Sequence, residues 1–322
     1  MWLIFSLITI LFWSGSDLFC KLSSKPDDKY SHLKIVMAVG GVMGIHAIYT
    51  LLTGTEFHLM DFVSYMPAIF CYILSMVLGY IGLRYIELSV STPICNSSGA
   101  VSVLLCILVM HESMAGLQYF GMALVFLAIL GLSFLEKKKQ DEEEAMESVD
   151  NQSPYTSKTK AIAILFSIGY CILDGLGTFV DAWILSIIDP EAAPALTGNG
   201  LVDWFIKHPV TSEDAANTAY ELTFLLMAVI AFIYVVCIKK VKIEASKEKT
   251  TLVAGICETA GQFFYIYALA LEPVLAAGVI SAYCIFSVVW ARIIIKEKLN
   301  WKQYAVITVA IIGIVILGVY DA

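Results

Sequence analysis

Two aspartates lie seven positions apart in the apolar segment GYCILDGLGTFVDAWIL, residues 169–185. Asp174 and Asp181 both fall within a run of mostly apolar residues from Ala161 to Ile187. An ionised carboxylate at the centre of a bilayer costs at least about 2.5–3.5 kcal/mol, so a membrane helix carries one only for a reason. Seven residues make two helical turns, so both side chains lie on one helix face and are able to line one water-filled route.

Two further acidic residues lie within apolar stretches. Glu258 lies in AGICETAGQ at a depth comparable to that of Asp174, and Asp17 follows WSGS nearer the end of the first stretch. Two carboxyls at one depth are able to share a proton or to bind a cationic substrate group. We therefore expect Asp174 and Glu258 to form the coupling or substrate pathway. Asp181 and Asp17 are secondary candidates because groups near an interface are hydrated at little cost. The alternative is that these carboxyls only hold helices together.

Several polar and aromatic residues in the apolar stretches are candidates for substrate contact. They are Trp13, Asn96, Ser97, Ser98, Tyr170, Tyr265 and Tyr283. Small polar residues also mediate ordinary helix packing in membranes, so this role and a packing role both remain open. Gly40 and Gly44 form a G-x-x-x-G pair and predict a close helix contact, in which His46 is packed and hydrogen-bonded.

Composition excludes an ordinary soluble domain. The 322 residues are 59% hydrophobic and 15% charged, whereas soluble domains are about 45–50% apolar and about 25% charged. Ten apolar stretches are long enough to cross about 30 Å of hydrocarbon as helices. They cover approximately residues 1–20, 34–53, 63–83, 93–110, 117–135, 161–187, 218–238, 250–271, 273–295 and 303–320. The sequence thus predicts an all-α polytopic membrane protein with ten transmembrane helices.

Other sites of chemistry are not indicated. All eight cysteines lie within or at the edge of apolar stretches, without a C-x-x-C pair, which argues against a disulfide framework and a thiolate metal site. The sequence has no metal-binding cluster, nucleotide-binding glycine loop or nucleophile elbow. The net charge of −8 does not favour nucleic acid as a partner. We expect no metal, no cofactor and no catalytic residue.

The distribution of positive charge predicts how the helices cross the membrane. Of the 20 Lys and Arg residues, all but Lys207 lie in or beside loops that follow odd-numbered spans. Positive charge stays on the cytoplasmic side, so both termini are predicted to be extracytoplasmic. The acidic loop 188–217 is then the main outer feature.

The chain divides into two similar halves. Residues 136–160 are rich in charge and lack apolar periodicity, which predicts a flexible cytoplasmic linker between residues 1–135 and 161–322. A shift of 185 positions superposes Gln118 on Gln303, and a shift of 157 superposes Asp17 on Asp174. Five spans in each half place the two halves in opposite orientations, as in the inverted repeats of many secondary transporters.

Both halves resemble the EamA repeat of the drug/metabolite transporter superfamily. The resemblance rests on a proline near the start of a span, the glutamate that ends it and the glycine-bearing helix that follows. These residues are Pro93 with Glu112, and Pro273 with Glu297; Trp13, Gly15 and Lys21 of the first span also fit. The resemblance implies a ten-helix carrier of small metabolites, often an exporter of amino acids or similar solutes, without a cofactor. SMAGLQ after Glu112 and the long loop 188–217 depart from the pattern.

We therefore expect a secondary transporter in the cell membrane that exports a small metabolite by alternating access, with protons as the coupling ion. Its partners are a small-molecule substrate, protons and the lipid bilayer, and the oligomeric state stays open. The alternatives are a passive facilitator and a lipid or polyprenyl-carrier flippase of the same fold. A remote alternative is an intramembrane aspartyl protease, but its Gly-x-Gly-Asp motif would place aspartate where Thr178 stands.

Overall fold

The computed structural model describes residues 1–23, 28, 30–83, 94–95, 97–147, 157–189, 195–243, 248–296 and 299–319. Within these ranges the protein is helical and contains no strand. The helices there are α1 Trp2–Ser23, α2 Ser31–Leu52, α3 Leu59–Leu83, α4 Ser98–Val109, α5 Gly116–Glu147, α6 Ser157–Ser186, α7 Gly200–Lys207, α8 Glu213–Phe232, α9 Lys249–Leu271, α10 Pro273–Ile280, α11 Tyr283–Trp290 and α12 Trp301–Val319. A π-helical turn extends α8 through Ile233–Ile238 and another extends α11 through Ala291–Ile295.

Eight helical segments of the described chain are long and apolar enough to cross a membrane. They are Trp2–Ser23, Ser31–Leu52, Gly116–Lys138, Ile164–Ser186, Glu213–Ile238, Lys249–Leu271, Pro273–Ile295 and Trp301–Val319. Two shorter apolar helices, Leu59–Ser75 and Ser98–Val109, overlap the third and fourth predicted spans. The chain is therefore an all-helical, multi-pass membrane protein.

The helices group into two compact units. Unit 1 comprises Met1–Met66, Asp181–Pro273 and Phe286–Lys296, and unit 2 comprises Pro67–Val180, Val274–Ile285 and Glu297–Ala322. In unit 1, α9 packs along α1 and α2, and α2 also packs along α8. In unit 2, α12 packs along α5.

The close contact between α2 and α8 depends on glycine. A Cβ atom on Gly40 would lie 2.1 Å from the carbonyl oxygen of Phe224, and one on Gly44 would lie 2.5 Å from Cδ1 of Leu225. Only a residue without a side chain allows the two backbones to approach so closely. The close helix contact predicted from Gly40 and Gly44 is thus confirmed.

The predicted linker differs from its expected structure at both ends. Helix α5 continues through the charged residues to Glu147, and α6 already begins at Ser157. Lys and Glu are strong helix formers. Lys138 and Glu142 are also one helical turn apart, and the Lys138 Nζ atom lies 3.8 Å from Oε1 of Glu142. Charge density alone therefore did not end the helix. The function of the segment as a linker stays a prediction, and residues 148–156 lie outside the described part.

The acidic loop 188–217 also contains more helix than expected. Helix α7 forms within it, capped by the side chain of Asn199, which accepts a hydrogen bond from the N–H of Leu201 at 3.0 Å. Ser212 caps α8 by accepting from the N–H of Ala215 at 3.1 Å. Ser212 is a favoured N-cap, and acidic residues in the first turn complement the helix dipole, so α8 begins before the apolar run.

The ninth predicted span is interrupted near its middle. Ser281 and Ala282 form a turn between α10 and α11. A turn also stands at Ser97, just before α4 begins. Transporters use such interruptions of membrane helices at substrate sites.

Candidate functional site

In unit 1, Asp17 and Glu258 lie near enough for Asp17 to influence the charge of Glu258, where α1 packs along α9. The Ser287 hydroxyl donates a hydrogen bond to Asp17 Oδ2 at 3.1 Å. The Ser16 hydroxyl donates to the carbonyl oxygen of Ala254 at 3.2 Å, which joins α1 to α9 one turn before Glu258. Ser16 and Asp17 are the polar neighbours of the Glu258 carboxyl. The packing of α1 on α9 therefore assembles two carboxyls and two serine hydroxyls.

This arrangement suits proton exchange better than a fixed ion pair. Lys21, one turn beyond Asp17, is near enough to influence its charge. The side chain of Asp17 is exposed and that of Glu258 is half-buried, so the pair is not sealed within the packed interior of the unit. Two carboxyls within electrostatic range repel each other when both are ionised, and protonation of either one removes that repulsion. The pair is consequently able to bind a proton or a cationic group.

An aromatic cluster lies beside the same face of α9. The rings of Trp13 and Tyr265 are 4.9 Å apart. A Cβ atom on Gly261 would lie 2.3 Å from Cδ1 of Trp13, so a glycine makes room for the indole ring. The Tyr265 hydroxyl donates to Asp181 Oδ2 at 3.0 Å.

Asp181 does not have the hydrated position expected for it near the membrane surface. Its side chain is 0% exposed, and Tyr65 also lies beside its carboxyl. The expectation of cheap hydration is wrong because it relied on distance along α6 alone. Tyr265 of α9 and Tyr65 of α3 lie against the carboxyl of Asp181, and the aspartate anchors Tyr265 through their hydrogen bond.

Unit 2 contains a separate carboxyl, Asp174 on α6. Its polar neighbours are the hydroxyls of Ser98 and Ser75, which lie at the start of α4 and on α3. A Cβ atom on Gly175 would lie 2.7 Å from the carbonyl oxygen of Ser98, so glycine brings α6 against α4 at this point. Tyr72 and Thr178 share a hydrogen bond of 3.1 Å that joins α3 to α6. The Asp174 site is thus built by three helices.

The same unit contains most of the predicted substrate-contact residues. Ser97, Ser98, Tyr170 and Tyr283 are all partly buried there, and Asn96 lies outside the described residues. Ser281, in the turn before α11, approaches α4 so closely that a Cβ atom on Gly99 would lie 2.3 Å from its Cβ. The interrupted helix therefore meets the start of α4 directly.

Comparison with known proteins agrees with this helical architecture. Residues 200–319 match the model of the EamA-like transporter family. The predicted resemblance to the EamA family is confirmed over these residues, which lie in the second half. A solved chain, described as the crystal structure of a protein, is 12% identical, with a TM-score of 0.65 over 99% of this chain and 96% of that one. At this identity the likeness shows the fold alone. No curated protein matches the chain.

Members of the EamA-like family are transporters, and residues 200–319 of this chain are similar to that family. Sequence reasoning paired Glu258 with Asp174, and that pairing stays a prediction; within unit 1, the carboxyl that influences Glu258 is that of Asp17. The depth of a residue along its span gave no information on which helices pack together. The sequence-based prediction also missed Ser16 and Ser75, although Ser16 directly precedes Asp17 in the sequence.

Proposed function

We propose that this EamA-like chain is a secondary transporter that exports an amino acid or similar small metabolite across the cell membrane in exchange for protons. The observation that carries the proposal is the Asp17–Glu258 pair, placed by α1 and α9 within membrane-crossing helices. Titratable groups inside membrane segments are costly, and proton relays in transporters are a main reason for their presence.

Ten spans arranged as two inverted repeats are part of this proposal. Local structure supports the repeat at the 185-residue shift. Gln118 and Gln303, buried near the starts of α5 and α12, each accept a hydrogen bond from a backbone N–H three residues earlier, at 2.7 Å from Ala115 and 3.0 Å from Asn300. The residue at the end of the preceding helical segment has a positive φ in both halves, 57° at His111 and 62° at Lys296.

Helix pairing supports the same symmetry. Within unit 1, the first span packs on the eighth, which is the third span of the second half. Within unit 2, the sixth span, first of its half, contacts the third through Gly177, whose Cβ would lie 3.3 Å from Cys71. Each half also supplies the serine for the other's aspartate: Ser287 for Asp17, and Ser98 for Asp174. Exchange of equivalent contacts is what two inverted repeats require.

The two acidic sites take different roles in our proposal. The Asp17–Glu258 pair binds and releases the coupling proton, because ionisation of one carboxyl disfavours ionisation of the other. Asp174 and its serine neighbours, beside the interrupted helix α10–α11, contact the substrate. Asp181 acts indirectly by positioning Tyr265 against Trp13.

Counterflow in proteoliposomes tests whether the chain transports such solutes. Vesicles preloaded with unlabelled L-amino acids are diluted into a trace of the same radiolabelled pool, without a pH gradient. We expect transient accumulation of label, and Asp174→Ala to reduce it while Ser186→Ala does not. The Ser186 hydroxyl only bonds the carbonyl oxygen of Trp183 within its own helix, at 2.8 Å. Accumulation equal to that of empty vesicles would reject the amino-acid class.

The proposed orientation has an independent test. In a chain without native cysteines, single cysteines at Asn199 and Ala322 should react with an impermeant thiol reagent in intact cells. A cysteine at Ser148 should react only after the membrane is permeabilised. Reaction at Ser148 alone would reverse the orientation inferred from the Lys and Arg distribution.

A further inference from the structure

His46 on α2 forms a close contact with a carboxylate on α8. Its Nδ1 atom lies 2.8 Å from Oε1 and 2.9 Å from Oε2 of Glu221. Both distances are typical of a charge-assisted hydrogen bond. Glu221 lies within the seventh apolar span, where an unpaired carboxylate would be costly.

The two partners differ in exposure. The side chain of Glu221 is 0% exposed, whereas that of His46 is 32% exposed. Glu221 therefore depends on neighbouring groups for its stabilisation, while part of the imidazole ring is accessible. With Nδ1 directed at Glu221, the remaining ring nitrogen is the one through which a proton is able to enter or leave.

The groups that surround the His46–Glu221 pair come from α8 and α9. Asp214, two turns before Glu221 on α8, is near enough to influence the charge of both His46 and Glu221. Its Oδ1 atom accepts a hydrogen bond from the Tyr267 hydroxyl of α9 at 2.5 Å. The ring of Phe263, also on α9, meets the His46 ring edge-on at 5.6 Å. Asn217 Nδ2 lies 3.5 Å from Glu221 Oε1.

We propose that His46 and Glu221 form a second proton-binding site, in which His46 takes up the proton and Glu221 supplies the buried counter-charge. The site lies on the side of α9 that carries Phe263, whereas Glu258 and Tyr265 face α1. It is therefore distinct from the Asp17–Glu258 pair. A protonated His46 neutralises Glu221, and its loss leaves a buried charge at the tight contact between α2 and α8.

Nuclear magnetic resonance of labelled histidine measures this protonation directly. The chain has five histidines, and His32→Gln, His58→Gln, His111→Gln and His208→Gln together leave His46 alone. The ¹⁵N shifts of its ring in nanodiscs are recorded from pH 5 to pH 9, roughly the range in which histidine titrates. We expect one titration that Glu221→Gln displaces by about one pH unit, as loss of a nearby charge does. A neutral ring throughout, or a titration unaffected by Glu221→Gln, would overturn the proposal.

Thermal unfolding provides a second measurement that does not need the multiple variant. We expect the wild-type unfolding temperature to fall as the pH rises through the titration of His46. His46→Gln keeps a hydrogen-bond donor but removes this step, while the control His58→Gln, at a 67% exposed side chain, retains it. The same step in His46→Gln as in the wild type would contradict the proposal. Neither measurement requires a substrate, so the result is independent of the proposed transport activity.

Discussion

Ser287 donates a hydrogen bond to Asp17 across 270 positions of sequence. The bond joins the first helix of the chain to the interrupted helix of its second half. Ser98, in the equivalent span of the first half, lies beside Asp174 of the second. The two aspartates that sequence comparison superposes thus have serine neighbours from corresponding spans, which supports the proposed repeat.

Removal of the Ser287 hydroxyl should weaken transport without unfolding the protein. Ser287→Ala deletes one hydrogen bond to Asp17, and a bond to a charged group contributes about 1.5–3 kcal/mol. We expect proton-driven transport to fall on the order of tenfold, which corresponds to about 1.4 kcal/mol. Ser287→Thr, which retains a hydroxyl, should recover most of the loss. Equal rates for Ser287→Ala and the wild type would show that the bond has no part in transport.

Glycine substitutions test the contact between α2 and α8. Gly40→Ala should lower the unfolding temperature, because the new Cβ meets the Phe224 carbonyl oxygen at 2.1 Å and overpacking costs about 1–3 kcal/mol. Gly41→Ala is the matched control, since its Cβ has no atom within 4 Å. Alanine is the better helix former, so the control should be neutral or slightly stabilising. Thermal unfolding in detergent measures both, and similar temperatures for the two variants would refute the contact.

Tyr265 and Asp181 should be energetically coupled. The tyrosine hydroxyl bonds the buried carboxyl at 3.0 Å, and removal of either partner leaves the other without that bond. A double-mutant cycle of Tyr265→Phe and Asp181→Ala should therefore give non-additive unfolding free energies, with coupling of about 0.5–3 kcal/mol. Additive effects would mean that the two side chains are independent, and Tyr267→Phe serves as a control cycle partner because the Tyr267 hydroxyl bonds Asp214.

Acid should loosen the segment before α7. The N–H of Thr197, at 2.7 Å, lowers the pKa of Asp203, assisted by the Thr197 hydroxyl and the N–H of Gly198. A lowered pKa means that the ionised carboxylate stabilises the folded segment above the ordinary pKa of about 3.9, and that this stability is lost as the pH falls through the lowered pKa. Hydrogen exchange at Thr197 and Gly198, corrected for intrinsic rates, should therefore quicken below about pH 4. Asp203→Asn should abolish this pH dependence, and its persistence would assign it to another group.

Much of the fold followed from sequence because apolar length directly reflects bilayer thickness. The eight membrane-crossing segments and the two shorter apolar helices all overlap predicted spans. The G-x-x-x-G contact of α2 was predicted correctly for a similar reason, since close backbone approach requires small residues. Helix boundaries were predicted less well where caps and helix propensity extended α5 and α8 beyond the apolar runs.

The partners of charged residues could not be predicted in the same way. Which carboxyl lies beside Glu258 depends on the packing of α9 against α1, and hydropathy contains no information on such pairing. Glu221 was a visible charge within an apolar span, yet its significance became clear only with His46 at 2.8 Å. The proposed internal repeat is supported by Gln118 and Gln303, which each accept a hydrogen bond from a backbone N–H three residues earlier.

The proton-coupled mechanism is tested most directly by gradient-driven accumulation in proteoliposomes. Vesicles acidified inside are diluted into alkaline buffer with radiolabelled L-amino acids, for the wild type, Asp17→Asn and Glu258→Gln. These amides keep size and most hydrogen bonding but cannot ionise. We predict that the wild type accumulates label above the external concentration, whereas both variants only equilibrate it and still perform counterflow. Equilibration without accumulation by the wild type, or undiminished accumulation by both variants, would contradict proton coupling at this pair and favour a passive facilitator.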